Sequence, residues 1–217
     1  IGVAGSVGKS STRNALEAVL KDHFPTTTVG NSETGIPLGI LGMKPESYSL
    51  FDWAKMISLS PLKKNYLKGI KYLVAEMGID DPYPPKNMEY LLTILRPDIA
   101  IVLNETATHT MQFEKALSKQ QSATSEQKKL DIIVKKIAEE DTKIITESDC
   151  KVGIYNADDT NVEKILKEKT PTSTKLLSFG SKSTNDVSYG VHTVSLQGSN
   201  FNLYVKTNPP AGGHRPT

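Results

Sequence analysis

The stretch "IGVAGSVGKSS", residues 1–11, constrains this chain more than any other part of it. A short apolar run ends in a turn with glycine at 5 and 8, small residues around them, then Lys9, Ser10 and Ser11. A turn emptied of side chains lets backbone N–H groups approach a polyanion, and the N-terminus of the helix that follows adds its dipole. The compact G-x-x-G-K-S form stands here; Val3 occupies the place where the longer G-x-x-x-x-G-K-[ST] form has glycine. The strand before it, and Leu16, Val19 and Leu20 at helical spacing after it, supply the context such a loop needs. The N–H groups of Gly5, Ser6, Gly8 and Lys9 are expected to wrap phosphate oxygens, with Lys9 reaching the β and γ phosphates. Ser10 is expected to ligate Mg²⁺, with Ser11 beside it.

Beyond the loop, apolar runs bounded by turn residues alternate with helical periodicity. That pattern predicts an α/β fold like that of phosphate-loop nucleoside triphosphatases (P-loop NTPase-like), a mostly parallel sheet with helices on both faces. "KYLVAEMG" (71–78) and "DIAIVLN" (98–104) read as buried strands, separated by a helix that carries Met88, Leu91, Leu92 and Leu95 after Pro84 and Pro85. Leu130, Ile133, Val134, Ile137 and Ala138 form one helical stripe, and the next position on it is Asp141. "KVGIYNADD" (151–159) gives another strand, followed by a helix with Val162, Ile165 and Leu166, then "TKLLSFG". Residues 185–206 alternate and predict a small antiparallel hairpin turning at Gln197–Asn200. We therefore expect an ATP-binding core over 1–180, an antiparallel extension of it over 181–208, and a Pro/Gly-rich linker or junction over 209–217. Residues 44–70, with Phe51, Trp53, Lys63 and Lys64, fit no motif and are expected to form an insertion packing on the sheet.

Composition excludes several classes of partner. The 26 basic and 24 acidic residues are interspersed, for a net charge of +2, so no basic patch argues for nucleic acid and a small-molecule partner is expected. The single cysteine, Cys150, excludes an internal disulfide and fits a reducing compartment. No apolar run approaches the roughly 18 to 20 residues of a membrane span, and with Ile1 opening directly into the motif no targeting segment is expected. A cytoplasmic monomer is expected, and the start within a strand reads as a piece of something longer.

Two further stretches carry chemistry. Glu76 ends a hydrophobic strand, at the sheet edge where α/β proteins place ligands, and an oxygen donor there suits a hard cation opposite Ser10. Asn104 and His109 lie on the loop after the next strand, at the same edge, and His109 is a candidate for a metal or substrate role. His23 at a helix end, His192 in the hairpin and His214 in the terminal segment are weaker candidates.

Taken in order, "GVAGSVGKSS", "NSETGIPLGIL" (31–41), "VAEMG", "RPDIAIVLNETATH" and "YNADD" resemble the central ATPase domain of the Mur ligases. Within that family the resemblance is greatest to the branch that adds D-alanyl-D-alanine to a UDP-N-acetylmuramoyl-tripeptide. It implies amide-bond synthesis from ATP with Mg²⁺: a carboxylate attacks the γ-phosphate, and an amine then displaces phosphate from the acyl phosphate. It further implies that Lys9 stabilises the transferred phosphoryl group, that Ser10 and Glu76 form a first Mg²⁺ site, and that His109 lies near a second. Asn104 opens the family's N-x-x-x-x-H loop, Asn31 lines the substrate side, and Asn156, with Asp159 a weaker candidate, lies at the adenine.

The chain departs from the family at one telling place. Where the family carries a carbamylated lysine in "AEAKSEI", "AEEDTKI" puts Asp141. Asp141 is either a carboxylate standing in for the carbamate, and so part of the catalytic set with Lys9 and His109, or a fraying helix end. Lys143 is the rival, but helical geometry turns it about 200° away. "AGGHRPT" has Arg215 where the family's "G-x-H-N" junction has asparagine. The UDP-MurNAc-peptide and the D-Ala-D-Ala-like amine are expected to be held by flanking domains, so this stretch alone is expected to bind nucleotide without completing the reaction. A catalytically idle nucleotide-binding module and a relative of folylpolyglutamate synthetase are the alternatives. A phosphate-loop kinase or GTPase is disfavoured by the lack of an N-K-x-D guanine signature.

Overall fold

Seven of the strands lie side by side in one direction, as the alternation of apolar runs and helices predicts. The computed structural model describes residues 1–107, 112–115, 125–195 and 198–206, the side chains of 191 and 192 excepted. Strands β1 (Gly2–Ala4), β2 (Thr26–Val29), β3 (Tyr72–Glu76), β4 (Ile99–Val102), β5 (Val152–Asn156), β6 (Lys175–Gly180), β7 (Val187–Ser195) and β8 (Gly198–Val205) form one sheet. Their order is β2-β3-β1-β4-β5-β6-β7-β8, with every neighbouring pair parallel except β7 and β8.

Alternation along the strands sorts the core onto two faces. Val3, Val74 and Ile101 face α1 (Lys9–Lys21), where Leu16 and Leu20 pack against them. Ala4, Ala75, Ala100 and Val102 join the larger cluster on the other face. Five helices supply its outer wall: α2 (Gly35–Ile40), α4 (Met88–Ile94), α5 (Glu126–Asp141), α6 (Lys143–Thr146) and α7 (Thr160–Lys169). Leu91, Ile144 and Leu166 are wholly buried there, each worth roughly 1.5–3 kcal/mol. The small residues on this face matter because α6 comes close: a Cβ on Gly2 would lie 2.8 Å from Ile144 Cδ1.

Local chemistry sets the helix starts. The Asn87 side chain, after Pro84 and Pro85, accepts from Tyr90 N at 3.3 Å to cap α4, and Asp159 accepts from Asn161 N and Val162 N at 3.0 and 3.1 Å to cap α7. The stripe on α5 faces the core as predicted at Ile133, Ile137 and Ala138, although Leu130 at its N-terminal end is exposed. Val19, read as part of the apolar face of α1, points to solvent instead, because the sheet meets only Leu16 and Leu20.

Two features differ from expectation. The segment 44–70 does not pack broadly on the sheet. It forms α3 (Leu50–Lys63), of which only Asp52 and Met56 are buried, while Leu50, Phe51, Ile57 and Leu62 face outward. The hairpin over 185–206 is present as β7 and β8, but β8 already begins at Gly198 and pairs with Ser195 there, so Gly198, Ser199 and Asn200, read as part of a turn over Gln197–Asn200, lie in the strand. β7 also pairs parallel with β6 over Phe179↔Val187 and Gly180↔Ser188, at the carboxyl end of β6. The hairpin therefore runs on past the carboxyl edge of the sheet. No helix among the described residues is long and apolar enough to cross a membrane.

Candidate functional site

The carboxyl ends of β1, β3, β4 and β5 converge on one edge, and the loop after β1 lies at its centre. That loop turns on Gly5 (φ 128°) and Gly8 (φ 92°), a backbone region where a Cβ is costly. Its position is held from the β4 side: Ser6 N donates to Asn104 O at 2.9 Å, and Val7 bridges to Asn104. α1 then starts at Lys9 with no side-chain cap, which leaves its first N–H groups pointing into the loop. Lys9 Nζ lies across the loop, donating to Gly5 O at 2.5 Å, with Ser6 O at 3.5 Å. Ser11 is exposed on the first turn of α1.

Glu76 is 5% exposed at the end of β3. Ser10 Oγ donates to Glu76 Oε2 at 2.8 Å, which brings together the pair that the sequence set apart for a cation. Arg13 Nη1 lies 3.3 Å from the same oxygen, so a guanidinium also balances this carboxylate. Hydroxyl and carboxylate oxygens are the donors a hard cation takes, and the residues fit Mg²⁺ on chemistry. Asn31, just past β2, accepts from Gly78 N through its carbonyl at 3.2 Å, and a Cβ on Gly78 would touch both Asn31 O and Lys9 Cε at 3.4 Å. Asn31 is thus a neighbour of Lys9.

On the other side of the loop stands a buried acid pair. Asp141, the last residue of α5, is 2% exposed and lines a small cavity with Gly5, Ser6, Lys9, Ile79, Phe113 and Ile137. It is not a fraying end: α6 follows directly, and Lys143 turns away to pair with Glu140. Against Asp141 lies Glu105, 7% exposed, whose Oε2 accepts from Ser6 Oγ at 2.7 Å. Burial, reinforced by the Asp141 charge, pushes the Glu105 carboxyl up to about 10. Burial also raises Asp141, to about 7, against the pull of its hydrogen bond with Glu105 and of the Lys9 charge. Both carboxyls are thus held above the usual carboxylate range, and burial is the main cause in each.

Asn156, at the end of β5, accepts from Asp158 N at 3.0 Å. Asp159 spends both oxygens on backbone, capping α7 with one and accepting from Glu105 N at 2.7 Å with the other. His109 lies outside the described residues. Sequence reasoning passed over Glu105, an acid in a polar run; its adjacency to Asn104 was the available signal.

A glycine-turned loop between a buried parallel strand and a helix, with a lysine, a hydroxyl and a strand-end carboxylate around it, defines a phosphate-loop α/β protein. The Mur ligase middle domain family matches residues 3–123, and the chain belongs to the Mur ligases. It is 23% identical over 207 residues to the UDP-N-acetylmuramoyl-tripeptide–D-alanyl-D-alanine ligase of Buchnera aphidicola subsp. Baizongia pistaciae, covering 94% of this chain and 35% of that protein. The MurF ligase of Thermotoga maritima, solved with ADP, superposes with a TM-score of 0.59 at 20% identity over 94% of this chain and 37% of that one. A UDP-N-acetylmuramoyl-L-alanyl-D-glutamate–2,6-diaminopimelate ligase superposes at 0.53 and 15% identity, again over 94% and 37%. The chain thus has the fold of these ligases and spans about a third of their length.

Proposed function

We propose that this chain is the ATP-binding part of a carboxylate–amine ligase that extends a UDP-MurNAc-peptide, with D-alanyl-D-alanine as the incoming amine. The observation that carries the reading is the convergence of Lys9, Ser10, Glu76, Asn31 and Asp141 on one loop at the carboxyl edge of the sheet. In the reaction a substrate carboxylate oxygen bonds to the γ-phosphorus as the bridging P–O bond breaks and ADP leaves. The amine nitrogen then attacks the acyl carbon, expelling inorganic phosphate and losing a proton. Loop N–H groups and Lys9 hold the phosphates in line and meet the charge that develops on the transferred group.

Ser10 and Glu76 would hold Mg²⁺, which supplies further charge neutralisation when bound. Asn31, beside Lys9, is assigned to the carboxylate substrate. Asn156 is assigned to the adenine and Asn104 to the β4 side of the nucleotide. Asp159 supports that side by fixing the backbone of Glu105, and His109 completes the catalytic set. Both substrates are delivered by parts of the protein beyond this domain. The idle-module reading is favoured by one feature, the aspartate where the family has a carbamylated lysine.

Calorimetric titration of the chain with ATP and Mg²⁺ tests the proposal. Lys9→Ala is expected to weaken binding by about tenfold or more, the loss of one charge-assisted contact. Unchanged binding would overturn the phosphate-loop assignment.

A further inference from the structure

α3 turns most of its apolar side chains away from the rest of the molecule. Its start is firmly built: the Ser49 side chain accepts from Asp52 N at 3.2 Å, and Asp52 accepts from Ser47 N and Ser47 Oγ at 2.6 and 2.8 Å. Asp52 and Met56 are the buried residues of the helix and mark its inner side. At about 100° per residue, Leu50, Phe51, Ala54, Ile57, Pro61 and Leu62 fall together in one outward sector of about 140°. No charged residue of the helix lies in that sector, and Lys55 and the C-cap residue Lys64 border it on either side. Leu50, Phe51 and Leu62 stand 90%, 80% and 80% exposed, so no wall rises beside them and the face is a ridge, not a groove. A contiguous exposed apolar surface of this kind marks an interaction site.

Charge indicates what the ridge meets. Residues 44–71 hold six lysines and two acids, an excess of +4 in a chain whose net charge is +2, so the even balance of the whole sequence hides a local basic segment. Both acids are engaged: Asp52 is turned inward, and Glu46 lies 3.9 Å from Lys55. A second copy docked ridge to ridge would bring like charges together, and a nucleic acid would set its phosphates against leucine, isoleucine and phenylalanine. A bilayer that carries anionic lipid suits both properties. Its acyl chains receive a ridge without needing a complementary shape, and its headgroup phosphates meet the lysines. Tyr48 and Trp53, with ring centroids 6.4 Å apart at the start of the helix, are of the aromatic type that sits at headgroup level.

We propose that α3 docks this chain on the surface of a membrane containing anionic lipid, with Leu50, Phe51, Ile57 and Leu62 entering the interface. Its 14 residues are too few to span a bilayer, so the helix lies on the membrane and does not cross it. The inference goes beyond the nucleotide reading and is independent of it, because α3 belongs to the connection from the edge strand β2 to β3 and contributes nothing to the loop site.

Co-sedimentation with vesicles tests the proposal, comparing phosphatidylcholine mixed with phosphatidylglycerol against phosphatidylcholine alone. The chain is expected to bind the mixed vesicles, to bind phosphatidylcholine alone about tenfold more weakly or less, and to be released as salt screens the lysines. Phe51→Gln/Leu62→Gln and Lys55→Gln/Lys64→Gln are each expected to weaken binding about tenfold or more. All four positions are exposed, so both variants are expected to melt with the wild type, which separates lost docking from lost folding. Failure to bind the mixed vesicles, equal binding to both kinds, or wild-type binding in either variant overturns the proposal. So does a dimer in light scattering that Phe51→Gln/Leu62→Gln dissolves, which assigns the ridge to a second copy. Vesicle binding by this chain that is lost in a longer protein containing it also overturns the proposal, since another domain then covers the face.

Discussion

Glu105 keeps its proton because burial strips water from its carboxyl and Asp141 lies against it. Such a group ties stability to pH in a definite direction. An unfolded carboxyl loses its proton near about pH 4, whereas folded Asp141 and Glu105 keep theirs up to about 7 and about 10. Across that window folding takes up protons, so stability falls as pH rises. Urea midpoints are expected to drop from pH 5 to pH 9 in the wild type and to drop less in Glu105→Gln; equal slopes would show that the pair does not titrate with folding. Asp141 was legible in the sequence, because it continues a helical stripe whose other members are apolar. Glu105 was not, since what buries it is the end of a helix 36 residues further along the chain, and periodicity says nothing about contacts of that range.

At the scale of elements, the loop between β1 and α1 depends on backbone conformation as much as on side chains. Gly8 sits at φ 92°, where an L side chain costs about 1–2 kcal/mol, so Gly8→Ala is expected to destabilise the chain by about that amount in denaturant unfolding. Gly5→Ala is expected to be worse for nucleotide affinity than for stability alone, because its Cβ would lie 3.0 Å from Leu103 Cβ and 3.2 Å from Leu103 N, pressing the loop off β4. Equal nucleotide affinity in Gly5→Ala and the wild type would count against a loop held in one shape. Strands whose residues are nearly all apolar, β3 and β4, were readable as runs. β2, "TTTV", was not, because three threonines read equally well as a turn, and it is pairing with β3 on one side that makes them a strand. α3 escaped assignment for the opposite reason: its apolar residues suggest a core, yet most of them face out.

Over the whole molecule, the order of apolar runs and helices was enough to anticipate a parallel sheet covered on both faces, because the central buried strands announce themselves by composition and the helices that pack on them by period. The direction of β7 was beyond that reasoning. Alternation in 185–206 specifies a hairpin but not how the hairpin joins its neighbour, and β7 turns out to pair parallel with β6 over two residue pairs before running on with β8 as its one partner among the described residues.

The contrast between β1 and β8 has a consequence for motion. β1 is buried along its whole length and hydrogen-bonded on both flanks, with Met77 N donating to Val3 O and Leu103 N donating to Ala4 O at 2.9 and 3.1 Å. β8 is exposed at every residue and, among the described residues, has a strand on one side only. Amide hydrogens in and beside β1 are therefore expected to exchange with deuterium only when the entire domain opens, whereas those of β8 exchange through local fraying, orders of magnitude sooner. Adding nucleotide should slow exchange in residues 5–10 and leave β8 untouched; protection that spread to β8 would mean that the sheet moves as one body. On that expectation the loop after β1 is mounted on the slowest-exchanging part of the chain, and the adjustments that follow nucleotide binding are expected to fall to the loops around it and not to the strand beneath.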